Sequence, residues 1–145
     1  MSYSTTVGVD LAKNVIQVAV VSASGKELLN RALTRRKFAE FLCKQKPSLV
    51  AFEACATSHH WARAAKRHGH EARIIPAKFV APFRQGHKTD SNDALAVVEA
   101  ARRPSIKEAP IVRSWPLADL RFNGLPVIWT TAFGESRHLA WLDVC

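Results

Sequence analysis

The sequence predicts a mixed α/β fold, a sheet with strands in both directions flanked by helices. Three observations lead there: an opening stretch of β-branched residues broken by turn chemistry, a change to helical spacing from Thr34, and a later alternation of short apolar runs with helical segments. With 48% hydrophobic and 23% charged residues over 145 positions, there is apolar material for one ordinary domain and a short appendage, and disorder is not the expected state.

Thr6 to Ala12 reads as a short buried strand that delivers Asp10 near its end. Val15 to Val21 is rich in β-branched residues, Ser22 to Lys26 supplies a turn, and Glu27 to Leu33 is expected to return as a third strand, so that two hairpins make an antiparallel meander. Thr34 is a candidate N-cap for a helix whose Phe38, Phe41 and Leu42 share a face and which ends before Pro47. Ser48 to Ala54 then reads as a buried strand carrying Glu53 at its end, and the helical crossover before it suits a parallel pairing with the first strand.

A second helix is expected from Thr57 and Ser58 to a glycine cap at Gly69, and His70 to Ile75 as a strand stopped by Pro76. Pro82 to His87 reads as a basic, irregular loop. Thr89 caps a last helix that carries Asp90 and Asp93 and closes near Pro104. Residues 1–113 form one domain on this reading. The tail, 114–145, holds three of the four tryptophans (Trp115, Trp129, Trp141) and one candidate strand, Val127 to Thr130, yet attaches to no domain plan. Sequence read in a shifted frame, or unrelated sequence past a break, is the expected account of it.

Charge divides the chain at the same place. Up to Arg113 there are 19 basic and 9 acidic residues, a balance of +10, whereas from Ser114 onward 2 basic and 3 acidic residues give −1. A basic first part suits a polyanion, because each neutralised phosphate releases counterions, although a solvated basic surface gives the same composition. Cys43, Cys55 and Cys145 contain no CxxC pair and are odd in number, which argues against a disulfide framework and for a reducing cytoplasmic location. No segment approaches the roughly 20 apolar residues of a membrane span.

Asp10, Glu53, Asp90 and Asp93 carry the chemistry. Two stand at the ends of predicted buried strands, and two are three apart at a helix start and so share a face. Singly, each has a plain structural account: Asp90 and Asp93 as charges favourable to the helix dipole, Asp10 as a side-chain turn, Glu53 as a partner for a surface arginine. As a set they point to a cation. Two like charges about 4 Å apart repel by roughly 4 kcal/mol at an effective dielectric near 20, so converging carboxylates need protons or a metal. Oxygen-only ligands favour Mg²⁺ or Mn²⁺, and two such ions about 3.5–4 Å apart suit an in-line phosphoryl displacement.

Three stretches make the pattern specific: Val7 to Lys13, Phe52 to His59, and Lys88 to Ala94. They resemble, in order and spacing over Thr5 to Pro110, the three acidic motifs of the DEDD insertion-sequence transposases, a family that includes the Piv-type invertases and the bridge-RNA-guided recombinases. The resemblance implies that Asp10, Glu53, Asp90 and Asp93 are a catalytic, metal-binding tetrad on a RuvC-like, ribonuclease-H-type fold. It also implies recombination of insertion-element DNA, in some members guided by a structured RNA, by an oligomeric enzyme. Family members continue into a second domain with a nucleophilic serine. The sequence ends before it, so no serine here takes that role and strand exchange by this polypeptide alone is not expected.

Lys78, Arg84, His87 and Lys88 surround the loop before the third motif and are candidate phosphate contacts, which position nucleic acid without reading it. Arg35, Arg36 and Lys37 read as a solvated helix face, and His59 and His60 as partly buried helix residues. A zinc site from Cys55, His59, His68 and His70 matches no standard ligand spacing. Three other functions stand beside it: a structure-specific nuclease of the same fold, a non-catalytic nucleic-acid-binding remnant, which describes the chain as given at least as well, and a sugar-kinase or actin-like ATPase, which fits least. The last needs glycine-rich phosphate loops, and the six glycines here are not clustered.

Overall fold

The structure is a computed structural model that describes residues 3–86 and 89–112, together with the backbone of two short paired strands, Arg121–Phe122 and Leu125–Pro126. The candidate strand at Val127 to Thr130 lies outside the described residues. The meander forms as its β-branched runs and turn predict: β1 (Thr5–Leu11), β2 (Val15–Ser22) and β3 (Glu27–Thr34) pair antiparallel in sequence order. The turn from β2 to β3 closes on Gly25, whose φ of 91° is costly for any residue with a Cβ.

Thr34 caps α1 (Arg35–Lys44) by accepting the Lys37 N–H at 3.2 Å. The chain returns as β4 (Leu49–Glu53), parallel to β1, crosses through α2 (Ser58–Arg67), and adds β5 (Glu71–Ile75), parallel to β4. Gly69, at φ 82°, ends α2 in the left-handed conformation that the sequence predicts. The sheet order is β3-β2-β1-β4-β5.

One segment departs from expectation. After Pro76 the chain makes a single helical turn, α3 (Ala77–Val80), and a 3-10 turn over Ala81–Phe83, where only a loop near Pro82 is expected. Val80 is fully buried there, and that packing orders a stretch too short for periodicity to reveal. Cys55 is free and exposed.

Strand alternation sorts the side chains onto two faces. Val7, Val9, Ile16, Val18, Val50, Phe52 and Ile74 face α1 and α2, where the rings of Phe38 and Trp61 meet edge to face at 4.9 Å. The opposite face receives α4 (Asp90–Ala101), capped by Thr89, whose hydroxyl accepts the Asn92 N–H at 3.3 Å. From Asp93 onward every α4 residue except Leu95 and Glu99 is buried, and most are alanine or valine, small enough to bring the helix axis close to the sheet.

The closest approach is at Gly8. A Cβ built there would collide with the Ala94 carbonyl oxygen and lie 2.6 Å from Val98 Cγ2 and 2.9 Å from Val98 N. At the far end of the helix, Arg102 donates to the carbonyls of Ser22 (3.4 Å) and Ala23 (2.8 Å), holding that end over the β2 terminus. Beyond α4 the chain runs along the outer edge of β5, where the Ala109 N–H donates to Ile74 O at 2.7 Å and Arg63 holds Val112 O at 2.9 Å. Gly8→Ala should therefore lower unfolding stability by about 1–3 kcal/mol, the usual cost of overpacking. Urea unfolding checks this; an unchanged midpoint would show that α4 is not seated as tightly as drawn.

Candidate functional site

Asp10 lies two residues beyond Gly8, so it projects from the same sheet face, and Glu53 follows Leu49 and Ala51 onto that face at the end of β4. The tight seat of α4 then sets its first turn beside those strand ends. One ligand oxygen each from Asp10, Asp90 and Asp93 lies within 4.8 Å of the others, the one such acidic, histidine or cysteine group of three or more among the described residues. Asp93 is buried, Asp10 half-buried and Asp90 exposed, so the cluster opens to solvent on one side.

Glu53 joins the cluster through Arg84. The Arg84 Nη2 donates to both Glu53 oxygens, at 3.1 and 3.0 Å, and its Nε lies 2.8 Å from Asp93 Oδ1. That second contact is a close ion pair to a buried carboxylate oxygen. Burial works against the Arg84 charge, but Glu53 and Asp93 outweigh it and raise its pKa. One guanidinium against four carboxylates leaves the site with a formal charge of −3. Asp10 shows the imbalance: desolvation first, then repulsion from Asp93, Glu53 and Asp90, lifts its pKa from 3.8 to about 6, with Arg84 opposing.

The arrangement fits a divalent cation. The donors are all carboxylate oxygens, a hard set; one of them is buried; and the local charge is unbalanced in the sense a cation corrects.

Among the candidate phosphate contacts, Arg84 turns toward the carboxylates, and Lys78 sits on α3 with its ammonium 4.9 Å above the Phe79 ring. His87 and Lys88 lie outside the described residues. Arg35, Arg36 and Lys37 are exposed, as a solvated face requires. His59 and His60 are partly buried on α2. The zinc quartet does not assemble among the described residues: His70 accepts the Ser48 N–H on Nδ1 at 3.2 Å and donates from Nε2 to Leu42 O at 2.8 Å, a purely structural role.

Three residues behind the site escape a reading of the sequence. Gln17, paired in register with Asp10, donates to Asn30 Oδ1 at 2.8 Å and to Ser91 Oγ at 3.2 Å, and Asn30 donates to Ser91 O at 3.3 Å. This relay ties β2 and β3 to the first turn of α4 and so fixes where Asp90 and Asp93 stand. The available signal is Gln17 itself, a lone polar residue inside an apolar strand and on the face of Asp10.

The Asp10 shift gives a pH dependence. Below pH 3.8 the folded and unfolded chains both hold the Asp10 proton; between 3.8 and about 6 only the folded chain holds it. In metal-free protein this group's contribution to stability therefore falls as pH rises through that window and stays low above it. Asp10→Asn removes the effect, so the melting temperature of the variant minus that of the wild type should grow across the window and then level off. A flat difference would place Asp10 in ordinary solvent.

The comparisons with known proteins agree with this geometry. A family model described as a transposase, of the IS110-type DEDD class, matches residues 7–121. The chain is 42% identical over 105 residues to a probable family 20 transposase of Pseudomonas aeruginosa, covering 72% of this chain and 31% of that protein. It is 37% identical over 102 residues to the transposase for insertion sequence element IS1328 of Yersinia enterocolitica, covering 70% and 30%. The chain thus spans about a third of the length of the curated relatives it matches. Among solved structures, T. thermophilus RuvC in complex with a Holliday junction substrate superposes with a TM-score of 0.57 at 15% identity, covering 74% of this chain and 100% of that one. That likeness shows a RuvC-like fold. With a matched family model over most of its length and its acidic motifs folded onto one face, the chain belongs to the DEDD transposases of the IS110 type.

Proposed function

We propose that the chain is the metal-binding catalytic portion of an insertion-element transposase, acting in phosphoryl transfer on the element's DNA. The observation that carries this reading is the convergence of three carboxylate oxygens within 4.8 Å at motifs the family match covers. Asp10, Glu53, Asp90 and Asp93 are the proposed ligands and Mg²⁺ or Mn²⁺ the proposed ion. Bound there, the ion supplies Lewis-acid stabilisation of charge developing on phosphate oxygens. The chain's own residues do the rest. Asp93 offers a buried, orientationally fixed oxygen, Asp10 and Asp90 supply oxygens toward the solvent side, and the Gln17, Asn30 and Ser91 relay holds the helix start in register.

Lys78, Arg84, His87 and Lys88 are the proposed contacts to the DNA backbone, of the kind that orient a strand without reading its sequence. A structured guide RNA, a homo-oligomeric assembly and a cytoplasmic location are part of the same proposal; no helix among the described residues is long and apolar enough to cross a membrane. We assign 1–113 to the catalytic domain and 114–145 to a shifted reading frame or unrelated sequence, although the family match continues to residue 121. Comparing the frames of the encoding DNA tests this, since a family-like continuation in another frame is expected.

A second reading is a structure-specific nuclease of the same fold, suggested by a solved neighbour that is matched over its whole length and is in complex with a Holliday junction substrate. A non-catalytic nucleic-acid-binding role is a third. Calorimetric titration of Mg²⁺ and Mn²⁺ into wild type, Asp10→Ala and Asp93→Ala comes first. Saturable binding to the wild type that both substitutions abolish is expected; no binding in folded wild type would sink the metal reading. Cleavage of element-end DNA and of branched DNA, compared side by side, then separates the transposase from the nuclease, and cleavage of neither favours the non-catalytic role.

A further inference from the structure

We propose that Arg84 is a counter-ion latch on the acidic site, occupying in the metal-free chain the place that a divalent cation must take, so that metal binding requires its displacement. The inference rests on the reading that the carboxylates hold such an ion. Arg84 uses two edges of its guanidinium, Nη2 on both oxygens of Glu53 at 3.1 and 3.0 Å and Nε against Asp93 Oδ1 at 2.8 Å. These oxygens belong to the proposed donor set. A Mg²⁺ ion needs its oxygens at about 2.0–2.1 Å, so Glu53 and the Asp93 Oδ1 that faces Arg84 cannot turn to an ion while the guanidinium stands between them.

Guanidinium cannot vacate the site by losing its proton, because it stays charged at any ordinary pH, so it has to move. The structure supplies the means. The Arg84 side chain is 34% exposed, whereas that of Asp93 is 8% exposed, so one partner of the pair has a path to solvent and the other is held in place. The two contacts also differ in quality. Glu53 is gripped by hydrogen bonds to both oxygens, while the buried Asp93 meets the guanidinium through the single oxygen Oδ1, on the side where the carboxylates converge.

The latch serves a physical need. Without it, Glu53 and Asp93 join Asp10 and Asp90 as four uncompensated carboxylates at the ends of the central strands, and the metal-free fold carries the whole repulsion. With it, the empty state is tolerable, and the affinity for metal is lowered by the free energy of the ion pair that must break. Arg84 therefore sets both the stability of the metal-free chain and the concentration at which the cation enters.

The test is calorimetric titration of Mn²⁺ into the full 145-residue chain, comparing wild type with Arg84→Ala and Arg84→Lys, with Asp93→Ala as the control for loss of the site. Thermal melting is followed in chelator and in saturating Mn²⁺. Arg84→Ala should bind Mn²⁺ about tenfold more tightly than wild type, a change of the size expected for one partly buried charge pair. Arg84→Lys should fall between them, because it keeps the charge but loses the fork. In chelator Arg84→Ala should melt below wild type, and Mn²⁺ should raise its melting temperature by more. Equal or weaker Mn²⁺ affinity in folded Arg84→Ala, with Asp93→Ala abolishing binding, overturns the latch and leaves the metal reading standing. If Arg84→Ala does not fold, Arg84→Lys decides by the same comparison. Failure of folded wild type and Arg84 variants alike to bind Mn²⁺ removes the metal reading, and the latch falls with it.

Discussion

At Gly8 the backbones of β1 and α4 approach so closely that not even a methyl group fits between them, and the acidic site depends on that contact. Asp10 stands two residues farther along the same strand face, and Asp93 immediately precedes Ala94, whose carbonyl oxygen crowds Gly8. Lifting the helix by the width of a side chain would draw Asp90 and Asp93 away from the strand ends. The alanines and valines of the helix serve the same purpose, since larger side chains would hold its axis off the sheet. The helix is fixed at both ends as well, by the Gln17, Asn30 and Ser91 relay near its start and by Arg102 at its finish.

That rigidity opposes electrostatics. Carboxylates drawn to within a few ångströms repel each other, and the pKa of Asp10 is raised first by burial and then by its acidic neighbours, with Arg84 offsetting part of the effect. The opposite face of the sheet, with Phe38, Phe52 and Trp61 packed beneath α1 and α2, supplies apolar burial without any such cost. The molecule thus separates its labour by strand alternation: one face holds a conventional core, and the other holds a helix whose placement is bound to chemistry.

The family assignment and the fold bear on different portions of the question. Relatives named as transposases are 37–42% identical over about 100 residues, whereas the RuvC neighbour, at 15% identity, shares only the fold. In this chain the parallel centre of the sheet, β1 beside β4, brings two strand ends side by side, which is the natural place for functional groups in folds of this kind. Here those ends carry Asp10 and Glu53.

Much of this was legible in the residues. Periodicity, caps and turn glycines define the five strands and the three longer helices, because Thr34, Thr89, Gly25 and Gly69 act through local backbone chemistry that needs no distant partner. The acidic set was legible for a similar reason, since carboxylates at strand ends and three apart on a helix are placed by local geometry and the resemblance named them together. The turn of α3 was not, because four residues have no periodicity and only the burial of Val80 orders them. Nor was the inward turn of Arg84, a basic residue in a basic segment. Its partners lie 31 and 9 residues earlier and later, at Glu53 and Asp93, and only the folding of β4 and α4 onto one face makes them its neighbours. The sequence by itself determined which residues bear charge and which local structures carry them; the tertiary structure decided which charges meet, because that depends on how closely one helix can approach one glycine.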